Sequence, residues 1–213
     1  MNLYQNKPTG LWCREGTLDE YVVKEQKTYA PLFGLVKDQV VMDIGGNIGA
    51  FAYFATKYGA SQVISFEPDP ENIQMFKKQA IPHATLVKGA IAAKSGTAAL
   101  YLNSGKNKGM HSLQEISGRE CIEVKTYAFE KALQRYEPTI LKIDIKGGEY
   151  DLDFTCIPDT VEAIAIELHM NHGNNREQAI QLSKQLKKQF PVVLKKPSVT
   201  AKNWTTLFIG RRS

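Results

Sequence analysis

The chain has few cysteines, and none of them follows the spacing of a metal or disulfide motif. Three cysteines occur among 213 residues, without a C-x-x-C pair, which argues against a zinc site and a disulfide framework. No apolar stretch approaches the ~20 residues that cross a bilayer, and no signal peptide is recognisable at the N-terminus. We therefore expect a cytoplasmic protein that has no membrane partner.

Two common phosphate-binding motifs are also missing. The P-loop pattern G-x-x-x-x-G-K-[ST] does not occur. The dinucleotide pattern G-x-G-x-x-G fails as well, because the third and sixth positions counted from Gly45 are Asn47 and Ala50. Since that pattern serves to rest a pyrophosphate on a helix N-terminus, the glycine-rich stretch that is present calls for a different ligand.

That stretch is an apolar strand that ends on a carboxylate and turns through glycines into a helix. Residues 40–50 read VVMDIGGNIGA, and a second apolar strand, VISFE at 63–67, ends on another carboxylate. This layout builds a crevice at the carboxyl ends of parallel strands, where an adenosine-containing ligand can lie against bare backbone. Gly45 and Gly49 permit positive φ and close approach, and Glu67 can accept hydrogen bonds from both ribose hydroxyls.

The charges of the crevice favour one adenosine cofactor over the others. Asp43 would repel a phosphate, whereas it would attract the ammonium of a methionine moiety and a nearby sulfonium. We therefore expect S-adenosylmethionine as methyl donor, with S-adenosylhomocysteine as the product. The alternative is a plain strand–turn–helix without a cofactor, which requires the two acidic strand ends to occur in register by chance.

Strands and helices alternate after residue 38, as is typical of parallel βαβ units. We expect residues 1–38 to be an N-terminal extension and 39–213 one compact α/β unit, with about seven strands and helices on both faces. The predicted strands are 39–44, 62–67, 85–91, 139–145, 161–168, 191–196 and 204–210. The predicted helices are 47–58, 70–80, 127–135, 147–154 and 175–190, with hairpin-like excursions over 97–126.

Titratable side chains follow two further strands. Asp144 ends the strand at 139–145, and Glu167 and His169 end the next one. We expect all three beside the cofactor loop, with Glu167 and His169 on one face of their strand. Methyl transfer to a hydroxyl needs alignment and a group that takes the proton. Asp144 and His169 are the candidate bases, and Glu167 is expected to orient the imidazole or bind substrate.

Other roles for these side chains stay open. Asp144 could contact only the cofactor, while the other two satisfy backbone groups. A divalent metal on Asp144, Glu149, Glu167 and His169 fits by ligand type, but the spacing is no known metal signature, and we expect no metal. His111 and His172 lie in loops near the expected active face, where they either contact substrate or are simply solvated.

Four stretches, at 14–19, 41–49, 66–68 and 141–149, resemble the FkbM-type family of S-adenosylmethionine-dependent methyltransferases, over residues 14–209. The resemblance implies the class I fold, a three-layer, doubly wound, mostly parallel and Rossmann-like seven-stranded sheet with a reversed last hairpin. It also implies O-methylation, often of a sugar or natural-product hydroxyl. Together with the crevice argument, it assigns cofactor binding to Asp43, Gly45, Gly46, Asn47, Gly49, Glu67, Pro68, Gly89 and Ala90.

The fourth stretch departs from the family pattern Ile-Asp-Ile-Glu-Gly-Ala-Glu. Lys146 replaces the first glutamate, and Gly148 replaces the alanine. An ammonium in place of a carboxylate reverses a local charge, which would weaken a metal site there and could favour an anionic acceptor.

A net charge of +5 and a pI of about 9.0 raise the alternative of an RNA or DNA methyltransferase. However, base methylation usually uses an Asn/Asp-Pro-Pro-aromatic motif after the fourth strand, where this chain has Asp-Ile-Lys-Gly at 144–147. Ribose methylation uses a Lys-Asp-Lys-Glu set, for which 204–210 offers no acidic residue. A solvated helix face also explains the basic residues. We therefore expect a small-molecule or glycan acceptor rather than nucleic acid, with a non-catalytic cofactor-binding module as a third interpretation.

Overall fold

A computed structural model describes residues 2–170, 175–200 and 204–213. The strands in chain order are β1 (Leu3–Gln5), β2 (Trp12–Arg14), β3 (Val40–Ile44), β4 (Gln62–Glu67), β5 (Ala84–Lys88), β6 (Ala90–Ala92), β7 (Gly96–Tyr101), β8 (Cys121–Ala128), β9 (Ile140–Ile143), β10 (Ala163–His169), β11 (Val192–Lys195) and β12 (Thr205–Arg211). The α-helices are α1 (Asp19–Glu25), α2 (Ala30–Phe33), α3 (Ala50–Lys57), α4 (Pro70–Gln79), α5 (Phe129–Tyr136) and α6 (Asn175–Gln189). Three 3₁₀ turns lie at Gln26–Tyr29, Gly148–Asp151 and Phe154–Cys156.

The central sheet has seven strands among the described residues, in the order β11-β12-β10-β9-β3-β4-β5. The five strands from β10 to β5 are parallel to their neighbours, whereas β12 runs antiparallel to both β10 and β11. The expected α/β fold with a mostly parallel sheet and a reversed last hairpin is confirmed. Chain order reverses between β3 and β9, and ligands bind at such a switch point in open α/β sheets.

Two local expectations about the strands and helices need correction. The strand expected at 85–91 is broken at Gly89, whose φ of +144° turns the chain out of the central sheet. As a result, β6 pairs with β8 in a separate sheet of three strands, together with β7. The helix expected over 147–154 is only the 3₁₀ turn Gly148–Asp151. By contrast, α4 begins as expected, with Asp69 accepting a hydrogen bond from the amide of Asn72.

Apolar side chains alternate between the two faces of the sheet, and each face is covered. Met42 and Ile44 of β3 belong to one buried cluster, and Val41 belongs to a second cluster beneath α3. Tyr29 and Leu32, which precede β3, are part of the second cluster. Of the helices within the described ranges, none combines the length and apolar character needed to span a membrane. The two buried clusters pack on both faces of the sheet and hold β3, β9 and β10 in place. Polar residues lie at the carboxyl ends of these three strands.

Candidate active site

The turn after β3 brings the backbone against the end of β9. Gly45 has φ +89°, and a Cβ at this position would overlap the carbonyl oxygen of Asp144. Gly49, with φ +88°, begins α3, and a Cβ there would collide with Ile81 and Phe76. Glycine is thus required at both positions by the backbone conformation and by its neighbours. The turn places Asp144 directly beside the glycine-rich loop.

Glu67, at the end of β4, is held by two backbone amides. Its Oε2 accepts a hydrogen bond from the amide of Asn47 at 2.7 Å, and its Oε1 accepts one from the amide of Asp69 at 2.8 Å. Burial raises the pKa of Glu67 to about 7, although these two hydrogen bonds act in the opposite direction. Each carboxylate oxygen keeps a second lone pair, so Glu67 can still accept hydrogen bonds from a ligand.

A cleft, which we call the nucleoside cleft, opens beside Glu67. Five of the expected cofactor-binding residues line it: Gly45, Asn47, Glu67, Pro68 and Ala90. Apolar side chains contribute to the rest of the lining, among them Phe66, Ile91, Leu100 and Leu113, together with polar ones such as Lys108 and His111. Of the remaining expected residues, Gly46 lines a neighbouring cleft, whereas Asp43, Gly49 and Gly89 line neither of the two.

Asp43 faces Lys142 instead of the nucleoside cleft. Its carboxylate is fully buried, lies 3.0 Å from Lys142 Nζ and accepts a hydrogen bond from Ser65 Oγ at 2.9 Å. The three residues are direct neighbours across β4, β3 and β9. Lys142 Nζ also donates to the carbonyl oxygen of Gly45 at 2.7 Å. Asp43 was expected to attract a cationic ligand directly, but the structure places it in an internal ion pair with Lys142. A role of Asp43 in cofactor binding stays a prediction, and it would be indirect, through the Lys142 side chain that holds the turn at Gly45.

The sequence analysis did not predict the Asp43–Lys142 ion pair, although the position of Lys142 in the sequence indicates a buried charge. Lys142 interrupts the apolar run Ile-Leu-Lys-Ile at 140–143, in the middle of a strand that is buried on both faces. A buried ammonium needs a carboxylate within reach, and Asp43 occupies the same depth in the adjacent strand. Burial alone would lower the pKa of Lys142, but Asp43 and Asp144 raise it.

Asp144, Glu167 and His169 meet around the ammonium of Lys146, and we call these four residues the lysine cluster. Lys146 Nζ lies 2.5 Å from Asp144 Oδ1, 3.2 Å from His169 Nε2 and 3.8 Å from Glu167 Oε2. The three residues expected at the ends of β9 and β10 are thus close together. Lys146 was noted in the sequence only as a departure from the family pattern, yet its ammonium lies between them.

Charge is strongly stabilised on both partners of the Lys146–Asp144 pair. Burial by itself would raise the pKa of Asp144, but Lys146 and Lys142 hold it well below its usual range. Burial would likewise lower the pKa of Lys146, but Asp144 and Glu167 raise it well above its usual range. At neutral pH the cluster therefore contains an ammonium and an ionised Asp144.

Glu149, and not Glu167, orients the His169 imidazole. The buried Glu149 Oε1 lies 3.0 Å from His169 Nδ1 and accepts a hydrogen bond from the His169 amide at 2.7 Å. Because a carboxylate only accepts, Nδ1 carries a hydrogen, and Nε2 faces the Lys146 ammonium. Glu167 instead accepts a hydrogen bond from the Tyr29 hydroxyl at 3.0 Å. The expected orienting role of Glu167 is corrected accordingly.

A second cleft also borders Asp144 and Lys146. One wall comes from α1 and the following 3₁₀ turn, with Glu25, Gln26 and Tyr29, and Glu167 also lines this cleft. Burial, followed by repulsion from Glu167 and Asp144, raises the pKa of Glu25 to about 7. Residues of this wall were not identified from the sequence, because nothing in the local pattern of 19–29 indicates which distant strand end it faces.

The two clefts adjoin each other. Five residues line both clefts, namely Gly45, Asn47, Gly109, Asp144 and Lys146. A ligand in the nucleoside cleft and a ligand in the second cleft would therefore meet at the end of β9.

The stretch at 14–19 forms a buried clasp between the N-terminal segment and α4. The Arg14 guanidinium donates to both carboxylate oxygens of Asp19 at 2.8 and 2.9 Å, and to Asn72 Oδ1 at 2.8 Å. The amide of Asn72 in turn donates to Asp69, next to Glu67. The clasp therefore connects the wall of the second cleft with the loop that carries Glu67.

The loop histidines differ in their surroundings. His111 lines the nucleoside cleft, and its Nδ1 accepts a hydrogen bond from the Asn103 amide at 2.9 Å. Burial lowers the pKa of His111, so the neutral ring is favoured. His172 lies outside the described residues.

The sequence and the fold both match known methyltransferases. The model of the methyltransferase FkbM domain family matches residues 43–190. Among solved structures, the methyltransferase FkbM from Methylobacillus flagellatus is 16% identical with a TM-score of 0.52, over 83% of this chain and 45% of that one. An rRNA methylase from Streptococcus thermophilus is 10% identical with a TM-score of 0.53, over 88% of this chain and 95% of that one.

These likenesses have defined limits. The chain spans less than half the length of the Methylobacillus flagellatus structure, at 45%. At such low identity the solved structures establish the fold alone. No curated protein matches this chain.

Proposed function

Because the chain belongs to the FkbM methyltransferase family, we propose that it transfers a methyl group from S-adenosylmethionine to a hydroxyl oxygen of a sugar, glycan or other small molecule. One observation carries the proposal, which is that the cleft beside Glu67 and a second cleft beside Glu167 adjoin at Asp144 and Lys146. Methyl transfer depends above all on aligning donor and acceptor, and this arrangement provides one meeting point for both.

The nucleoside cleft suits an adenosine whose other end carries a positive charge. Glu67 has lone pairs left for ribose hydroxyls, and Phe66 and Ile91 offer apolar surface to a flat base. The Glu67 carboxylate, where ionised, would repel a phosphate chain and attract an ammonium or sulfonium group. When bound, S-adenosylmethionine would supply the electrophilic methyl group.

The second cleft suits a neutral, hydroxyl-rich acceptor. Its two lysines are already paired, Lys142 with Asp43 and Lys146 with Asp144. Glu167 therefore remains as the excess charge of the cleft, and Glu25 adds to it as the pH rises above its pKa of about 7. Carboxylates accept hydrogen bonds from sugar hydroxyls but repel the phosphodiesters of a nucleic acid. This balance of charge supports a small molecule or glycan over RNA.

Asp144 is the residue that we assign to the proton of the acceptor. It lines both clefts, and its side chain is partly exposed there. A carboxylate with a low pKa is a weak base, but the hydroxyl proton becomes strongly acidic once the oxygen bonds to the methyl carbon. Asp144 can therefore hold the hydroxyl by accepting its hydrogen bond and take the proton late in the reaction. His169, which directs Nε2 at Lys146, would act by fixing the ammonium.

Calorimetry and methyl incorporation test the two halves of the proposal separately. Asp144→Asn should lower methyl transfer by about 100-fold, in the range of a lost proton acceptor, while the affinity for S-adenosylmethionine changes only a few-fold. Glu67→Ala should weaken cofactor binding by at least about 10-fold, since hydrogen bonds to a charged group are lost. Glu162→Ala, an exposed glutamate beside the opposite end of β10, is the matched control and should alter neither quantity.

Labelled cofactor incubated with fractionated host extract would identify the acceptor. We expect the label in a neutral, hydroxyl-bearing small molecule or glycan. Equal losses of affinity and turnover in Asp144→Asn would make Asp144 a binding residue only. Tight cofactor binding without label transfer to any fraction would favour a non-catalytic module, and label in RNA would overturn the assignment of the acceptor.

A further inference from the structure

We propose that the Lys146 ammonium occupies the position of a divalent metal ion, so that the site carries a tethered cation of its own and becomes a metal site when Lys146 is removed. The metal site of the variant does not depend on methyl transfer. The catalytic consequence, that methyl transfer by the natural chain needs no metal, rests on the function proposed above.

The three side chains around Lys146 form a complete set of metal ligands. Asp144, Glu167 and His169 each direct one ligand atom at the same point, and these atoms lie within 4.8 Å of one another. His169 Nε2 lies 3.5 Å from Asp144 Oδ1 and 3.6 Å from Glu167 Oε2. One imidazole and two carboxylates are the ligand types that bind ions such as Mn²⁺ and Zn²⁺. A small inward movement would bring all three atoms within coordination distance of one ion.

The next layer of contacts also has the form found around metal ligands. Histidine ligands usually donate their second ring nitrogen to a carboxylate, which fixes the tautomer and the ring orientation. His169 does this with the buried Glu149, at 3.0 Å, and therefore keeps Nε2 as an acceptor. The second oxygen of Glu167 is held by the Tyr29 hydroxyl. Both ligands are thus oriented independently of Lys146.

The backbone at Lys146 has an unusual conformation, and from it the side chain places Nζ among Asp144, Glu167 and His169. Lys146 has φ +50°, in the left-handed region that a residue other than glycine rarely adopts. Ser112 Oγ donates to its carbonyl oxygen at 3.0 Å, and Gln114 Nε2 donates to the carbonyl oxygen of Gly147 at 2.9 Å. Two side chains from another loop thus fix the strained turn. Strain of this kind is typical of functional sites, and here it returns the ammonium over the strand end.

The occupant decides the charge of the cluster. The two carboxylates carry two negative charges, of which the ammonium balances one and a divalent ion would balance both. An ion cannot bind while Nζ lies among all three ligand atoms, because like charges repel and the space is filled. The Lys146 side chain therefore excludes a metal, and a shorter neutral side chain should admit one.

Mn²⁺ is a suitable probe, since its free-ion signal in electron paramagnetic resonance falls on binding. We expect Lys146→Ala to bind one Mn²⁺ per chain at least about 100-fold more tightly than the natural chain. Lys146→Arg keeps a cation at the point and should bind Mn²⁺ no better than the natural chain. Lys146→Gly tolerates the left-handed φ without strain and replaces the alanine variant if that variant does not fold by circular dichroism.

A second substitution locates the ion. Adding Glu167→Gln to Lys146→Ala removes one carboxylate ligand and should lower Mn²⁺ affinity at least about 10-fold. The proposal is overturned if the natural chain binds Mn²⁺ as tightly as the alanine or glycine variant, if a folded variant binds no ion, or if the Glu167 substitution has no effect. Chelator should leave methyl transfer by the natural chain unchanged. Loss of transfer with chelator would overturn the catalytic consequence only.

Discussion

Replacing Lys142 with methionine should destabilise the protein more than any surface change, because it leaves Asp43 as an unpaired buried carboxylate. The side chains of Lys142 and Asp43 are 4% and 0% exposed, with 3.0 Å between Nζ and Oδ1. Breaking such a pair by removing one partner typically costs about 3–5 kcal/mol. Lys142 also donates to the Gly45 carbonyl oxygen, whose lost hydrogen bond adds about 1 kcal/mol. We therefore expect Lys142→Met to lower the free energy of unfolding by about 4 kcal/mol or more.

Urea unfolding, followed by circular dichroism, measures this loss, which is a large part of the 5–15 kcal/mol that stabilises a typical protein. The double variant Asp43→Asn, Lys142→Met removes both charges and should recover at least half of it, because no uncompensated charge is left. A loss below about 1 kcal/mol in Lys142→Met, or no recovery in the double variant, would refute the claim that the two residues form a charged pair in the core.

Two further predictions concern the turn and the second cleft. Gly45→Ala should destabilise the protein by about 2–4 kcal/mol, from strain at positive φ and the overlap with Asp144, and an unchanged melting temperature would contradict this. Burial raises the pKa of Glu25 from 4.5 to about 7 on folding, so its contribution to stability is present below pH 4.5 and lost as the pH rises through 7. At pH 8, the free energy of unfolding of Glu25→Gln should therefore exceed that of the natural chain by on the order of 1 kcal/mol, after allowance for solvent screening. At pH 4 the two should be equally stable. An equal gain in stability at both pH values would exclude titration of Glu25 as the cause.

The sheet could be predicted from the sequence because its strands are continuous apolar runs bounded by acidic or glycine residues. Val40–Ile44 and Gln62–Glu67 begin and end within a residue of their predicted limits. The prediction for 85–91 was wrong because its apolar character continues across Gly89, while the backbone at that glycine leaves the sheet. Composition does not record such a turn, since the residues on both sides are suited to a strand.

The site was predictable where neighbouring strand ends determine it and not where distant segments complete it. Asp144, Glu167 and His169 meet because β9 and β10 are parallel neighbours. Tyr29 reaches Glu167 across 138 positions of the chain, and no local periodicity encodes that contact. Glu167 was predicted to orient the imidazole or to bind substrate. The structure gives the first role to Glu149, because the 3₁₀ turn Gly148–Asp151 stands where a regular helix was expected, and substrate binding by Glu167 stays a prediction.

The buried clasp of Arg14, Asp19 and Asn72 has a consequence for redesign of the protein. The segment 19–29 supplies one wall of the second cleft, yet it carries none of the residues assigned to the donor. Transplanting this segment from a relative should therefore retune acceptor selectivity while leaving donor affinity intact. The transplanted segment must carry a carboxylate at position 19. Without it, the Arg14 guanidinium would lose its bidentate partner, and the new segment would lose its connection through Arg14 to Asn72 of α4.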